Sequence, residues 1–336
     1  MPGLLEVIDA GIGNSIQDGG RFGFRHMGIT ASGCLDALLA RCANALVGNA
    51  PDADCACIEM RAVGPKLQVT SGPVRVALAG EISATLHAAG GDTLAVAPWK
   101  SITLTTGDVL AVASLPGGVA YLAFAGGIDS PLQLGSGSTY ERALIGGIGG
   151  RGIVVGNRLA CRIVARAQGE SQAPCWRLDD DSIRVVLGPQ RNHFKHQALA
   201  VFLGSDYVVT PQRDRMGMRL EGAPLAHVSA AAADIVSDGV TPGAIQVPGN
   251  GQPIILLADC QTVGGYPKIA TVIRADLPRL AQLHSGQSLR FAAVSGDQAR
   301  QALLEREAQW QAWARRIVAV APDTTAPDEP IISSNW

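Results

Sequence analysis

The sequence predicts a mainly β fold with a few helices, laid out as two β-rich subdomains. Three observations carry this. Apolar runs of four to six residues recur along the chain, each bounded by Gly, Pro or Asp, which is how strands separated by tight turns read. Glycine is frequent, at 40 residues, while Phe, Trp and Tyr number 6, 5 and 4, a balance that suits many short elements rather than long helical bundles. The length of 336 residues fits about two units of the usual ~150 residues, and an aperiodic polar stretch at 166–182 stands between two strand-rich parts.

Taken in order, residues 1–165 make the first subdomain. Its helix is predicted over Gly33–Val47, where Leu35, Leu38, Leu39, Cys42 and Leu46 fall on one stripe, Ser32 reads as the N-cap and Gly48 as the stop. Strands are predicted at Val74–Leu78 and Thr93–Val96, flanking the turn signal Ala89-Gly90-Gly91-Asp92, then at Ser101–Thr105, Val109–Ala113 and Ala120–Ala125. Residues 166–182 read as a linker. The second subdomain, 183–295, resumes with strands at Ile183–Leu187 and Ala244–Val247. The latter passes through Pro248-Gly249-Asn250-Gly251 into Ile254–Leu257, a hairpin. Asp276 is placed to cap a short helix beginning at Leu277. Ser295 and Gln298 form a capping box that opens a helix over Gly296–Val318, with Leu303, Trp310, Trp313 and Ile317 on one face. This C-terminal helical unit is assigned 296–320, and the Pro- and acid-rich residues 321–336 read as a flexible tail.

Composition excludes several function classes. Lys+Arg total 27 against 29 Asp+Glu, a net charge of −2, which lacks the dense basic field that nucleic acid demands. No apolar run approaches the ~18–20 residues of a membrane span. The N-terminus carries Glu6 and Asp9 without a basic region, unlike a secretory signal. Seven cysteines, with Cys55 and Cys57 too close for a zinc knuckle, read as free thiols in the cytoplasm, and no metal is expected. Only four of the 27 basic residues are Lys (66, 100, 195 and 268), leaving 23 Arg. A lysine among other reactive residue types therefore stands out.

Gly147-Ile148-Gly149-Gly150-Arg151-Gly152 matches G-x-G-x-x-G, but Ile153-Val154-Val155 reads as a following strand where a dinucleotide site needs a helix. There is no Walker A sequence and no G-x-S-x-G elbow. His193 and His196 lack a carboxylate or Cys nearby and read as surface or packing residues. The dense polar string lies in the second half. Lys268 and Arg215 are candidates to stabilise an oxyanion, and Asp238 or Asp259 to act as a base. Gln246, Gln261, Thr262, Gly264, Gly265 and Tyr266 surround them in sequence as candidate substrate-binding residues. Asp and Gly also dominate ordinary turns, so residue types alone leave both readings open. The hairpin sharpens the choice. Residues before its first strand and after its second emerge at one end, so Asp238–Gln246 and Asp259–Lys268 should face one cleft, with two carboxylates near Lys268. A secondary anion or partner site is considered at Gln17, Asp18, Arg21 and Ser32, before the first helix. For Ser32 and Asp36, capping and dipole complementation are the simpler reading.

These strings together resemble one family. They include Ile16-Gln17-Asp18-Gly19-Gly20-Arg21, Ser32-Gly33 with Asp36, Leu46-Val47-Gly48-Asn49 and Ala123–Asp129. Gly188-Pro189-Gln190, Asp214-Arg215-Met216-Gly217, Ser237–Pro248 and Gly264–Leu283 continue the pattern. It is similar to the biotin-dependent carboxyltransferase subdomain A/B family, which takes in the 5-oxoprolinase C subunit (PxpC/KipA) and the allophanate-hydrolase-subunit-2 segment of urea carboxylase. The resemblance covers residues 4–295 in order. It implies a cyclophilin-like β-barrel in the second subdomain and a sister subunit with subdomains C and D (PxpB/KipI-like). It also implies a LamB/YcsF-type (PxpA) catalytic subunit, and opening of 5-oxoproline to glutamate at the expense of ATP. Two further readings accompany it: a carboxyltransferase half-site of a biotin-dependent urea or amide carboxylase, and a regulatory antagonist of a histidine-kinase inhibitor. None of the four lysines lies in a biotin-carrier setting, so any biotin would be carried by another protein. Gly137, Cys34 and Val263 stand where the family usually has Arg, Ala and Thr.

Overall fold

The computed structural model describes residues 3–50, 54–162, 169–178 and 182–320. The tail 321–336 lies outside the described residues, as does part of the linker at 166–182. Helices α1 (Ala37–Leu46), α2 (His196–Gly204), α3 (Leu277–Gln282) and α4 (Gly296–Ala314) punctuate a mainly β chain.

Residues 3–161 supply two antiparallel sheets. One orders its strands Arg158–Cys161, Gly3–Asp9, Lys66–Ser71, Val109–Val112, Ala84–His87, Thr93–Val96. The other runs Ser15–Gln17, Cys57–Met60, Ala120–Phe124, Val74–Ala79, Ser101–Leu104. Alternate residues of both, such as Leu5, Val7, Leu67 and Val69 against Ile58, Val76, Leu122 and Phe124, enclose one core. The opposite face of the five-stranded sheet offers Ala77, Ala79, Tyr121 and Ala123 to α1. Burial on both faces makes Ala120–Phe124 a continuous apolar run.

Several sequence expectations need correction here. The strands at Val74–Ala79 and Thr93–Val96 are present, but a further strand, Ala84–His87, lies between them and takes Thr93–Val96 as its hairpin partner. The intervening strand mixes Thr and His with apolar residues and so gave little signal. The first helix starts at Ala37, capped by the Asp36 side chain accepting from Leu39 N at 2.9 Å. Ser32 caps nothing: it sits upstream in left-handed backbone, φ 52°. Ile153–Val155 is neither strand nor helix, and Gly147–Gly152 lies in turns.

The second half wraps an eight-stranded sheet, ordered Ser288–Leu289, Tyr207–Arg213, Gly217–Gly222, Ile254–Leu256, Ala244–Gln246, Lys268–Val272, Ile183–Leu187, Phe291–Ala293. The two edge strands are separated in sequence by Arg290 alone, so the sheet's ends meet and it closes nearly into a barrel. The expected hairpin is present, with Ile245 opposite Ile255 and Gln246 opposite Ile254. Inside lie Val185, Tyr207, Met218, Ile245, Ile255 and Ile269, with Phe202 of α2 and Leu280 of α3 joining the same core.

Asp276 precedes α3 without a capping hydrogen bond. Its carboxylate turns instead to Arg184, accepting from Nε at 3.0 Å and Nη2 at 2.6 Å. The capping box of α4 is present, but the helix ends at Ala314, and Val318–Ala319 pairs as a strand with Ser171–Gln172. Its buried residues are Ala302, Arg306, Trp310 and Trp313, while Leu303 is exposed. Trp313 meets Trp99 and Trp176 edge-on, Arg41 of α1 stacks over Trp310, and Arg41 pairs with Glu307. The C-terminal helix is thus pinned to the first half of the molecule. All seven cysteines carry free thiols. Among the described residues no helix is long and apolar enough to cross a membrane.

Candidate functional site

Lys268 opens the strand Lys268–Val272 beside Gln246, and its side chain is buried. Its Nζ donates to Asp238 Oδ2 at 2.7 Å and to the Gly239 carbonyl at 3.0 Å. Two of the three ammonium N–H bonds are thereby used, which holds the head in place and leaves one for an incoming oxygen. Asp238 lies on a short ribbon, Asp238–Gly239 paired with Val263–Gly264. That pairing brings the two predicted segments together. Gln190 locks the arrangement: its Oε1 accepts from Lys268 N at 3.0 Å, and its Nε2 donates to Asp238 Oδ2 at 3.0 Å. The hydrogen bond from Lys268, then the Gly239 N–H, holds the Asp238 carboxyl below the usual range. An exposed carboxylate so well supplied with donors is a weak base and serves better to fix Lys268.

Around this pair, Gln246 accepts from Gln261 Nε2 and donates to Tyr266 O, both at 3.4 Å. Gly264 permits the packing, since a Cβ there would stand 2.5 Å from Gln246 Nε2. The Thr262 and Gly265 carbonyls accept from Val240 and Ile235 N–H groups, and the ring of Tyr266 is partly exposed. Arg25, from the first half, reaches over to donate to Val240 O and Gln261 O.

Arg215 and Asp259 are elsewhere employed, contrary to expectation. Asp259 gives both oxygens to Arg215, at 2.8 Å to Nε and 3.0 Å to Nη2. Arg215 also donates to Glu59 Oε1 at 2.5 Å and Gly33 O at 2.7 Å. Burial opposes its charge, but Glu59 and Asp259 hold its pKa above the ordinary guanidinium value. The second Glu59 oxygen takes Tyr121 OH at 2.7 Å and Leu35 N at 2.8 Å. Asp259 is committed to Arg215, and this network joins the two halves instead. Lys268 accordingly bonds one carboxylate, Asp238, rather than two.

The N-terminal group is also inward-facing. Asp18 is buried and accepts from Gly20 N, Ser136 Oγ, Gly137 N and Ser138 Oγ. Arg21 is fully buried and donates to Ser138 O and Gln133 O. Gly137 fits closely, a Cβ there standing 3.2 Å from Ser130. Gln17 Oε1 and Ser32 Oγ have no partner among the described residues. Asp18 and Arg21 thus shape the loop 133–138 rather than presenting a surface anion site. Sequence reasoning missed Glu59, Gln190 and Arg25. Glu59 did carry a signal, a lone charge in the apolar run Cys57-Ile58-Glu59-Met60. Gln190 carried one too, closing the string Gly188-Pro189-Gln190, whereas Arg25 acts through contacts too distant in sequence to read.

The family model for the carboxyltransferase domain, subdomain A and B, matches residues 27–293. The C subunit of 5-oxoprolinase from Escherichia coli (strain K12) is 36% identical over 320 residues, covering 94% of this chain and 99% of that protein. Its Haemophilus influenzae counterpart, also a 5-oxoprolinase C subunit, is 33% identical over 301 residues, covering 87% of this chain and 92% of that protein. Among solved structures, the K. lactis urea amidolyase superposes with a TM-score of 0.83 at 27% identity, covering 94% of this chain. This chain spans 21% of that larger polypeptide.

Proposed function

The chain belongs to the carboxyltransferase domain family, subdomains A and B, and from that premise we propose that it is the C subunit of an ATP-dependent 5-oxoprolinase-type complex. The complex opens 5-oxoproline, or a related small amide, to glutamate. One observation carries this reading: the match to the Escherichia coli 5-oxoprolinase C subunit covers 94% of this chain and 99% of that protein. Amide opening needs positive charge or N–H donors beside the carbonyl oxygen. Lys268, held by Asp238 and Gln190 with one N–H to spare, supplies that donor, and Gln246, its neighbour across the sheet, is bonded to Gln261 and Tyr266.

The G-x-G-x-x-G string does not fit a nucleotide. Gly147–Gly152 leads into turns, with no helix N-terminus to receive phosphate. ATP handling is therefore assigned to the sister subunits, of the PxpB/KipI and PxpA types, or to a composite site formed with them, in a cytoplasmic complex where the isolated chain is inactive. Residues 1–165 and 183–295 act as its two subdomains. Co-expressing the chain with its genomic neighbours and assaying ATP-dependent glutamate release from 5-oxoproline tests the proposal. A folded complex without that activity refutes it.

A second reading rests on the superposition with urea amidolyase. Here the chain is a carboxyltransferase half-site receiving a carboxyl group from biotin borne by another protein, and Lys268 holds the carboxylate as a point charge. A neighbouring biotin carboxylase gene would favour it; a LamB/YcsF-type gene would favour the first.

A further inference from the structure

Arg25 stands in a single 3₁₀ turn of the first half, Arg25–Met27, closed by the Gly28 N–H donating to Arg25 O at 3.0 Å. None of the three residues is buried, and Met27 is exposed. Apolar packing therefore does not explain the place of this turn. Its arginine crosses instead to the second half, where one nitrogen, Nη2, donates to Val240 O at 2.6 Å and Gln261 O at 3.1 Å. Hydrogen bonds from an ionised donor are roughly twice as strong as neutral ones, so this is a firm tie.

The two carbonyls extend opposite strands of the ribbon that carries Asp238. That ribbon has two paired positions, Asp238 with Gly264 and Gly239 with Val263, followed by Val240 N donating to Thr262 O at 3.1 Å. A two-stranded ribbon is marginally stable at best in water, so one this short needs ties from outside. Beyond one end Gly265 O accepts from Ile235 N at 2.8 Å. Just past the other, Arg25 Nη2 bridges the strands. Lys268 Nζ bonds Asp238 Oδ2 and Gly239 O, and the next residue, Val240, is the one that Arg25 holds. Guanidinium and ammonium thus grip the same three-residue segment. The Val240 side chain is buried with Ala244, Leu256 and Cys260, so loss of Arg25 should shift the ribbon without unfolding it.

We propose that Arg25 is a positioning residue for Lys268. By tying both strands of the ribbon it sets Asp238 Oδ2 and Gly239 O where they hold the ammonium, which makes the first half a working part of the site in the second. The assignment stands on the hydrogen bonds; only its effect on turnover rests on the proposed function.

The test reads the Lys268 amine directly. Competitive acetylation of the full chain with acetic anhydride, followed by peptide mass spectrometry, compares Lys268 with the exposed Lys66 as internal standard. In the parent, the bond to the Asp238 carboxylate keeps the amine charged and slow to react. Arg25→Met should speed acetylation of Lys268 at least about fivefold relative to Lys66, because a displaced Asp238 no longer favours the charged form. Arg25→Lys, which keeps the charge on a shorter stem, is the second variant should Arg25→Met not fold, and should give at least about a twofold rise. Thr30→Val is the control: Thr30 Oγ1 donates to Ala258 O at 2.8 Å across the same seam without touching the ribbon, and its loss should leave Lys268 unchanged. In the assembled complex Arg25→Met should lower kcat for glutamate release at least about tenfold with KM within about twofold, the pattern of an interaction made in the transition state. Unchanged acetylation in the Arg25 variants, or an equal rise in Thr30→Val, would overturn the inference. Faster acetylation with turnover like the parent's would uphold the positioning and remove Lys268 from the reaction. Faster acetylation beside a parent complex that releases no glutamate would likewise uphold it while refuting the proposed function.

Discussion

Lys268 and Arg215 are both buried cations, but their surroundings give them different work. Arg215 has four of its five N–H bonds taken by Glu59, Asp259 and Gly33, so little of it is left for a substrate. Lys268 is only 4% exposed, but its partner Asp238 is 53% exposed, so the pair reaches from the interior to the edge of solvent. Replacing Lys268 by Met keeps the aliphatic stem and removes the charge. The assembled complex should lose at least about a hundredfold in ATP-dependent glutamate release. Stability should change by no more than about 1 kcal/mol, because the pair is partly exposed. Turnover near the parent's would remove Lys268 from the reaction, whereas failure to co-purify with the sister subunit would make it structural.

At the scale of elements, what was legible in the sequence was local. The hairpin of Ala244–Gln246 and Ile254–Leu256 is written in a Gly-rich turn between two apolar runs, and the capping box of α4 in four consecutive residues. Pairing across distance was not. Nothing near Ile183–Leu187 says that it pairs with Phe291–Ala293, and the cap of α1 falls on Asp36 rather than Ser32. The cap has a consequence in solution. Burial raises the Asp36 carboxyl from 3.8 to about 6, against the lowering effect of bonds from Leu39 N–H and Gln282. A carboxyl whose folded pKa lies above its unfolded one is most compatible with folding when protonated. Its ionised form opposes folding by about 3 kcal/mol above pH 6, and that opposition fades as pH falls towards 4. Asp36→Asn keeps the capping oxygen without the charge. Urea unfolding should therefore show the parent gaining about 1 kcal/mol relative to this variant between pH 7 and pH 5. Parallel behaviour of the two proteins would mean that Asp36 titrates normally.

Across the whole molecule, the decisive features join residues that lie far apart in the chain. Each half has its own apolar core, and polar contacts cross between them: Arg25 to Val240 and Gln261, Thr30 to Ala258, Gln282 to Asp36. Arg215 is the centre of this seam, bonding Glu59 at a separation of 156 residues and Asp259 at 44. A reading of local sequence placed Arg215 and Asp259 beside Lys268 because it could not see Glu59 coming from the other sheet. Removing the cation leaves two buried carboxylates facing one another, a loss of about 3–5 kcal/mol. Arg215→Met should accordingly lower stability by that amount. It should also split one cooperative urea transition into two, because each core survives while the contact between them fails. Adding Glu59→Gln and Asp259→Asn should restore most of the loss, since neutral amides need no counter-ion. Tryptophan fluorescence and far-ultraviolet circular dichroism, followed together, distinguish the outcomes. A single transition within about 1 kcal/mol of the parent in Arg215→Met would show that the apolar contacts of α4 and α1, rather than the buried ion pairs, hold the halves together.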